Sequence, residues 1–203
     1  MDAQVAGVVA ALLAGEPVIL PTDTVYGLCA WAEGAAPTAR LYELKGRSAS
    51  QPSALLAADL DTLFACLPEL SGRDAAIVRA LLPGPYTLIL SNSGGRYRWL
   101  TGDTPAAIGI RVPDLPAAAA AVVAAVGAVT STSANLPGGP DPRRLDDIPD
   151  ELREHAAAIV DAGELPGTPS TVLDFSSSEP RVVREGAASS AEALALVREA
   201  FRS

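Results

Sequence analysis

The sequence is poor in the residues that bind zinc or drive imidazole catalysis. Its 203 residues include one histidine, His155, and two cysteines, Cys29 and Cys66. No CxxC or HxxxH spacing occurs, which excludes the common Cys/His zinc sites. A Ser-His-Asp or Cys-His mechanism would have to use His155, and that residue lies in DELREHAAA, which reads as an exposed helix. Two lone cysteines make no disulfide framework and suit reduced thiols in a cytosolic chain. Cys29, between Leu28 and Ala30, reads as a small core residue. Basic residues are in deficit: 15 Lys and Arg against 24 Asp and Glu leave a net charge of −9. That argues against broad binding to a nucleic-acid backbone, though a local basic pocket stays open. No apolar run reaches membrane-spanning length. The start, MDAQVAGVVAALLAGE, has no basic n-region and carries Asp2, so it does not read as a signal peptide. The expectation is a cytoplasmic protein with no membrane partner. No convincing linker or internal repeat divides the chain, so a single domain over 1–203 is expected.

What is present is enough to fold. Hydrophobic residues make up 49% and charged residues 19%, so the chain can bury apolar surface against the entropy of ordering. Ala/Leu-rich helical stretches alternate with short β-branched runs, which predicts an α/β (α+β) domain. Helices are predicted from Val5 to Ala14 (stopped by Gly15), from near Pro37, from Ala75 to Leu82, from Pro116 to Val126, and from Ser189 to Phe201. Ser71-Gly-Arg-Asp74 resembles a capping box, and Ser189 with Glu192 a second cap. Strands are predicted at Val18–Leu20, Tyr26–Trp31, Ala54–Ala57, Tyr86–Leu90, Ile108–Val112, Ala128–Thr132, Ile159–Asp161, Thr171–Phe175 and Arg181–Arg184. Asn92 to Thr104 and Leu136 to Pro149 read as polar connections.

Several polar groups fall where strands end, the usual place for ligand sites in open α/β sheets. In PTDTVYGL (Pro21 to Leu28) a strand runs into Thr22 and Thr24, a carboxylate, Tyr26 and Gly27; an ordinary turn explains it equally well. Lys45-Gly46-Arg47, followed by Gln51-Pro52, has two readings. The cations could complement a helix C-terminus, or they could clamp phosphate oxygens, Lys as a point charge and Arg as a planar fork. Arg111 interrupts the apolar strand Ile108-Gly-Ile-Arg-Val. Burying it is costly without a carboxylate partner, either internal or from a substrate. Ser131-Thr-Ser-Ala-Asn135 puts hydroxyls and an amide after an apolar strand, suiting phosphate or ribose contacts. Ser170-Thr-Val-Leu-Asp174, with Arg184 fourteen residues beyond Ser170, is weak on its own.

Together these segments are specific. PTDTVYGL, KGRSASQP, LLPGPYTLIL, IGIRVPDLP, STSAN and STVLDF…RVVREGA follow the order and approximate spacing of the YrdC-like threonylcarbamoyl-AMP synthase family, and the resemblance runs from about Val18 to Ala187. It implies a twisted, open mixed sheet with flanking helices around a large positively charged cavity. It also implies a nucleotidyltransferase that converts L-threonine, bicarbonate and ATP into L-threonylcarbamoyladenylate and pyrophosphate. A partner transferase would then modify the adenosine beside the anticodon of certain tRNAs. Residue by residue, Thr24 resembles the hydroxyl that contacts threonine, with Tyr26 shaping the same wall and Arg111 holding the threonine carboxylate. Ser131 and Ser170 resemble the serines around that amino acid. Lys45 and Arg47 resemble the catalytic triphosphate clamp, with Gln51, Ser133, Asn135 and Arg184 around the nucleotide. Mg²⁺ would arrive with ATP, needing no protein metal cage. The sequence departs from the pattern at Gln51 (often Asn), at Leu56, where some relatives place a His near the threonine, and at Ser53. No residue stands out as a general base.

Two rival readings follow from the same fold: a non-catalytic RNA- or nucleotide-binding module, and a carbamoyl-adenylate activity of the kind found in hydrogenase-maturation proteins. The acidic total disfavours the first, and the missing zinc-finger-like cysteines disfavour the second. Arg96, Arg98 and the loop from Leu136 to Pro149 are candidates for lid or partner contact, or simply solvated connections.

Overall fold

The computed structural model describes residues 2–202. Asp2 opens the first helix by accepting a hydrogen bond from the Gln4 backbone, and α1 runs from Ala3 to Leu13. Strands β1 (Val18–Pro21) and β2 (Tyr26–Trp31) form a hairpin. Helix α2 (Ala35–Lys45) leads to β3 (Ala54–Ala57). Two helices follow, α3 (Leu60–Cys66) and α4 (Gly72–Leu81). Next come β4 (Tyr86–Ser91), β5 (Ala107–Arg111), α5 (Ala117–Val126) and β6 (Ala128–Ser133). The chain ends with α6 (Asp150–His155), β7 (Ala158–Ile159), β8 (Thr171–Asp174), β9 (Arg181–Arg184) and α7 (Ser190–Ala200).

Most of these elements match the sequence expectation to within a few residues. The exceptions have local causes. Helix α3 is too short, at seven residues, to show a clear period in the sequence; it is started by Asp59, whose carboxylate accepts from the Thr62 backbone at 2.7 Å. The capping box at Ser71 does not form: the Ser71 side chain makes no cap bond, and Asp74 sits 3.9 Å from Arg73 instead. The cap at Ser189 does form, with Glu192 N–H donating to its hydroxyl at 3.3 Å.

Among the described residues nine strands join one mixed sheet in the order β7-β1-β2-β6-β3-β5-β4-β8-β9. Pairs β1·β7, β3·β5 and β4·β8 are parallel and the rest antiparallel. Side chains alternate between faces along each strand, and that period explains where the cavity lies. One face carries Leu28, Ala30, Leu55, Ala57, Leu88, Leu90, Ile108, Ile110 and Leu173. It is covered along its length, by α3, α4 and α7 on one side and by α2 and α6 on the other. The opposite face is covered only in part. Val18, Leu20, Cys29, Leu56 and Val129 pack under α1 and α5, through Val5, Val8, Leu12, Ala119, Val122 and Val123. Farther along the same face the residues become small or polar: Gly27, Ala54, Gly109, Thr87 and Ser131. No helix covers them, and a hollow stands there. The alanine-rich α5 needs no special role, since its small side chains allow close packing onto α1 and the sheet. Among the described residues, no helix is long and apolar enough to cross a membrane.

Candidate functional site

The hollow over the small-residue face has a volume of about 350 Å³ and adjoins a second of about 500 Å³. They meet along Arg47, Pro52, Ser133, Asp141 and Arg184, which line both. Their sizes fall in the range of small-molecule sites. Arg111, Thr24, Ser131 and Ser170 line the first only, and Lys45, Gln51 and Asn135 the second only. Side chains spread from position 24 to position 184 therefore converge on two hollows that share one wall.

The first hollow is built on the β1–β2 turn. The Thr22 hydroxyl donates to the Val25 carbonyl at 2.7 Å and accepts from the backbone N–H groups of Thr24 and Val25, each at 3.2 Å. Thr22 has spent its proton, so in its 2.9 Å contact with Thr24 the Thr24 hydroxyl is the donor. The Thr24 oxygen then presents only lone pairs to other partners, and Arg111 donates to it at 3.3 Å. Arg111, at the end of β5, is 8% exposed and pairs with Asp23 at 2.7 Å. The sequence calls for a carboxylate beside Arg111, internal or from a substrate, and the internal one is Asp23, which sequence reasoning does not single out. A signal is there, a carboxylate between two threonines at a strand end. Burial raises the Asp23 carboxyl, outweighing the opposing pull of Arg111. Burial also lowers Arg111, with Asp23 opposing, but a guanidinium keeps its charge in proteins.

The second hollow is organised by the end of α2. Gly46 takes the left-handed conformation at φ +64, and Arg47 N–H returns to the Tyr42 carbonyl at 2.9 Å. That glycine turn reverses the chain and lets both flanking cations reach the same space. Lys45 is 3% exposed. Its ammonium donates to the Ser133 carbonyl and to Asn135 Oδ1. Asn135 is itself fixed, accepting from the Ser133 hydroxyl and donating to the Gly139 carbonyl, both at 2.7 Å. Burial, and then the neighbouring Arg47 charge, pull the Lys45 ammonium down to about 8, with Asp141 opposing. Arg47 donates to Thr132 Oγ1 at 3.2 Å and to the Pro52 carbonyl, while its buried Nε has no partner. Lys45 does end α2, as the helix-complementing reading has it, but it is buried beside the second hollow and is not a solvated charge.

Ser170 and Arg184 close the far wall. Arg184 donates to the Ser170 carbonyl at 2.9 and 3.1 Å and to its hydroxyl at 3.3 Å, and Thr87 meets the same hydroxyl at 2.8 Å. The chain after β9 is pressed against this corner. A Cβ on Gly186 would stand 2.2 Å from the Pro169 carbonyl oxygen, so only glycine fits.

One expected wall residue lies elsewhere. Tyr26 does not line either hollow; it is fully buried among Ile19, Leu28 and Leu41. The cause is the strand period, which puts Tyr26 on the face opposite Gly27. Its hydroxyl donates to Asp161 Oδ1 or the Gly163 carbonyl and accepts from Ala162 N–H, so it pins the loop after β7. Leu56 pairs in register with Arg111 but packs beneath α1 and α5 with Cys29 and Val129. Arg96 and Arg98 bond to Glu69 and the Gly95 carbonyl and line neither hollow. The loop from Leu136 to Pro149 is more than a solvated connection, because Leu136, Pro137, Gly138 and Asp141 line the second hollow. Asp141 has no signal in the sequence beyond sitting in a Pro/Gly-rich loop. Among the described residues no three His, Cys, Asp or Glu side chains gather as a metal cage.

Comparison with known proteins identifies the family and the fold. The family model Sua5/YciO/YrdC, described as "Telomere recombination", matches residues 10–186. The chain is similar to threonylcarbamoyl-AMP synthase of Vibrio campbellii, at 32% identity over 88% of this chain and 97% of that protein. It is similar to threonylcarbamoyl-AMP synthase of Bacillus subtilis, at 32% identity over 91% of this chain but only 54% of that longer protein. Its fold matches the crystal structure of Pyrococcus abyssi Sua5 complexed with L-threonine, with a TM-score of 0.83 and 27% identity, covering 95% of this chain and 56% of that one.

Proposed function

The chain belongs to the Sua5/YciO/YrdC family, and from that premise we propose that it is an L-threonylcarbamoyladenylate synthase. It would take L-threonine, bicarbonate or CO2, and ATP, and release pyrophosphate, as a nucleotidyltransferase. The observation that carries this reading is the division of labour between the two adjoining hollows. Arg111 and the Thr24 acceptor stand in one, and Lys45 with Asn135 in the other, with Arg47 and Arg184 between them. An amino acid and a triphosphate need those two chemistries side by side.

The threonine amine attacks CO2, its proton leaving to bicarbonate or solvent, and a carbamate forms. A carbamate oxygen then attacks the α-phosphorus of ATP, and the bond to the bridging oxygen breaks to expel pyrophosphate. No covalent enzyme nucleophile is required. The protein holds two anions in line and offsets charge developing on the phosphate. Lys45 supplies a compact charge and Arg47 a fork. Arg111 receives the amino-acid carboxylate, and the Thr24 oxygen suits a donor such as the substrate hydroxyl or amine. ATP enters as its Mg²⁺ complex, the metal being part of the substrate and usually held by phosphates and water. Asp141 is the carboxylate within reach of that end. A separate transferase would then carry the threonylcarbamoyl group to tRNA.

The test is a pyrophosphate-release assay with threonine and bicarbonate each present or omitted. Release that needs both supports the reading. Threonine-independent release would favour a carbamoyl-adenylate activity, and no release with tight RNA binding would favour a binding module.

A further inference from the structure

Asp23 is a charged, buried residue for which the proposed reaction has no use. Its side chain is 10% exposed and it lines neither hollow. It reaches Arg111 from behind the cavity wall. The geometry of the pair is unlike that of a stabilising ion pair. An Arg–carboxylate pair frequently closes as a two-toothed fork that satisfies both oxygens. Here one Arg111 nitrogen meets one Asp23 oxygen, and both Asp23 Oδ2 and Arg111 Nε are buried with no partner. Burying a pair with polar atoms unmet costs stability, and an apolar pair would serve packing as well or better. What the arrangement does achieve is orientation. A single guanidinium nitrogen is held at once by Asp23 at 2.7 Å and Thr24 at 3.3 Å. The turn carrying both is locked by Thr22 through three backbone bonds. That nitrogen is thereby held in place, and Nη1, which bonds to no protein group, is left for the hollow that Arg111 lines.

We propose that Asp23 is a positioning residue for the amino-acid substrate, holding Arg111 so that its Nη1 group meets the substrate carboxylate. This rests on the reading that Arg111 receives that carboxylate. Asp23 itself does not touch the substrate, because its free oxygen is shut away from the hollow. Its charge also partly offsets that of Arg111, so a bound carboxylate is held without being trapped. A carboxylate that merely filled the site in the absence of substrate would behave differently: it would leave Arg111 when the amino acid arrived.

The experiment compares wild type with Asp23→Asn and Asp23→Glu, and then Arg111→Ala with Arg111→Ala/Asp23→Ala. The readouts are threonine and nucleotide KM, kcat and a thermal melt. Losing a charge-assisted buried bond should raise threonine KM about tenfold or more, with kcat and nucleotide KM within about twofold. Asp23→Glu should recover most of the loss, and removing Asp23 should add nothing once Arg111 is gone. An unchanged threonine KM in Asp23→Asn, or an equal loss with and without Arg111, overturns the proposal. Should Asp23→Asn not fold, a threonine-bound structure of the wild type decides: the Asp23–Arg111 contact persists if Asp23 positions, and its loss on binding refutes the role. A wild type that does not saturate with threonine would remove the parent reading itself, an outcome seen without any variant.

Discussion

Raising the pH should loosen the grip on nucleotide along a curve set by one amine. Lys45 is buried at the end of α2, and its ammonium titrates at about 8 in place of the usual 10.5, chiefly from burial and secondly from Arg47, with Asp141 opposing. Only the charged form attracts a triphosphate. Phosphate oxygens brought beside it favour that form, so the bound state holds the proton to a higher pH than the free state. Between those two limits binding takes up a proton. With a free-state value of about 8, affinity should fall about twofold by pH 8 and about tenfold by pH 9, relative to neutral solution. The sign for stability is consistent: holding the charged amine penalises the fold below pH 8, and the penalty is relieved as pH climbs from there towards 10.5. Calorimetric titration with a non-hydrolysable ATP analogue in two buffers of different ionisation enthalpy measures both the affinity and the proton uptake. Lys45→Met should bind more weakly at neutral pH and show no such pH slope. A wild-type affinity that stays flat from pH 7 to 9, or a slope that persists in Lys45→Met, would refute the reasoning.

Other perturbations test other parts. Arg47→Ala should cut pyrophosphate release by about a hundredfold or more, as loss of a charge-stabilising donor does, while circular dichroism shows the fold retained. Gly186→Ala should lower the melting temperature and raise threonine KM, because the added carbon would overlap the Pro169 carbonyl and push Ser170 from its place; a wild-type melt would show that the corner has slack. Tyr26→Phe should cost about 1 to 3 kcal/mol in denaturant unfolding, from losing the bonds to the loop at Asp161–Gly163. Its threonine KM should stay near wild type, since the ring lies on the far face of the sheet.

Much of the fold is legible in the sequence, for identifiable reasons. The strands β1 to β6 are apolar runs bounded by Pro, Gly or polar clusters, and period and punctuation locate them. The site can be read because its residues sit at strand ends in unusual company: two cations around a glycine, an arginine inside an apolar strand, a Ser/Thr/Asn cluster after another. Arg111 carries the clearest signal, because the cost of burying its charge by itself calls for a carboxylate. Which carboxylate cannot be read, since Asp23 and Arg111 lie 88 positions apart and only the sheet order brings them together. Tyr26 shows the opposite error. It stands in the same short segment as Thr24, but the turn ends between them and strand alternation sends the tyrosine to the other face. Asp141 and the wall it shares with Leu136 to Gly138 escape sequence reasoning because loop residues follow no period. Their placement depends on contacts made elsewhere, such as the Tyr26 N–H donating to the Pro142 carbonyl at 3.0 Å.

The account depends on an amino acid and a nucleotide sharing one space over the uncovered half of the sheet. A crystal structure with L-threonine and a non-hydrolysable ATP analogue bound together measures this directly. The threonine carboxylate should lie on Arg111 and the phosphates on Lys45 and Arg47, with the amine turned towards the α-phosphate. Ligands in separate places, or phosphates clear of both cations, would contradict it.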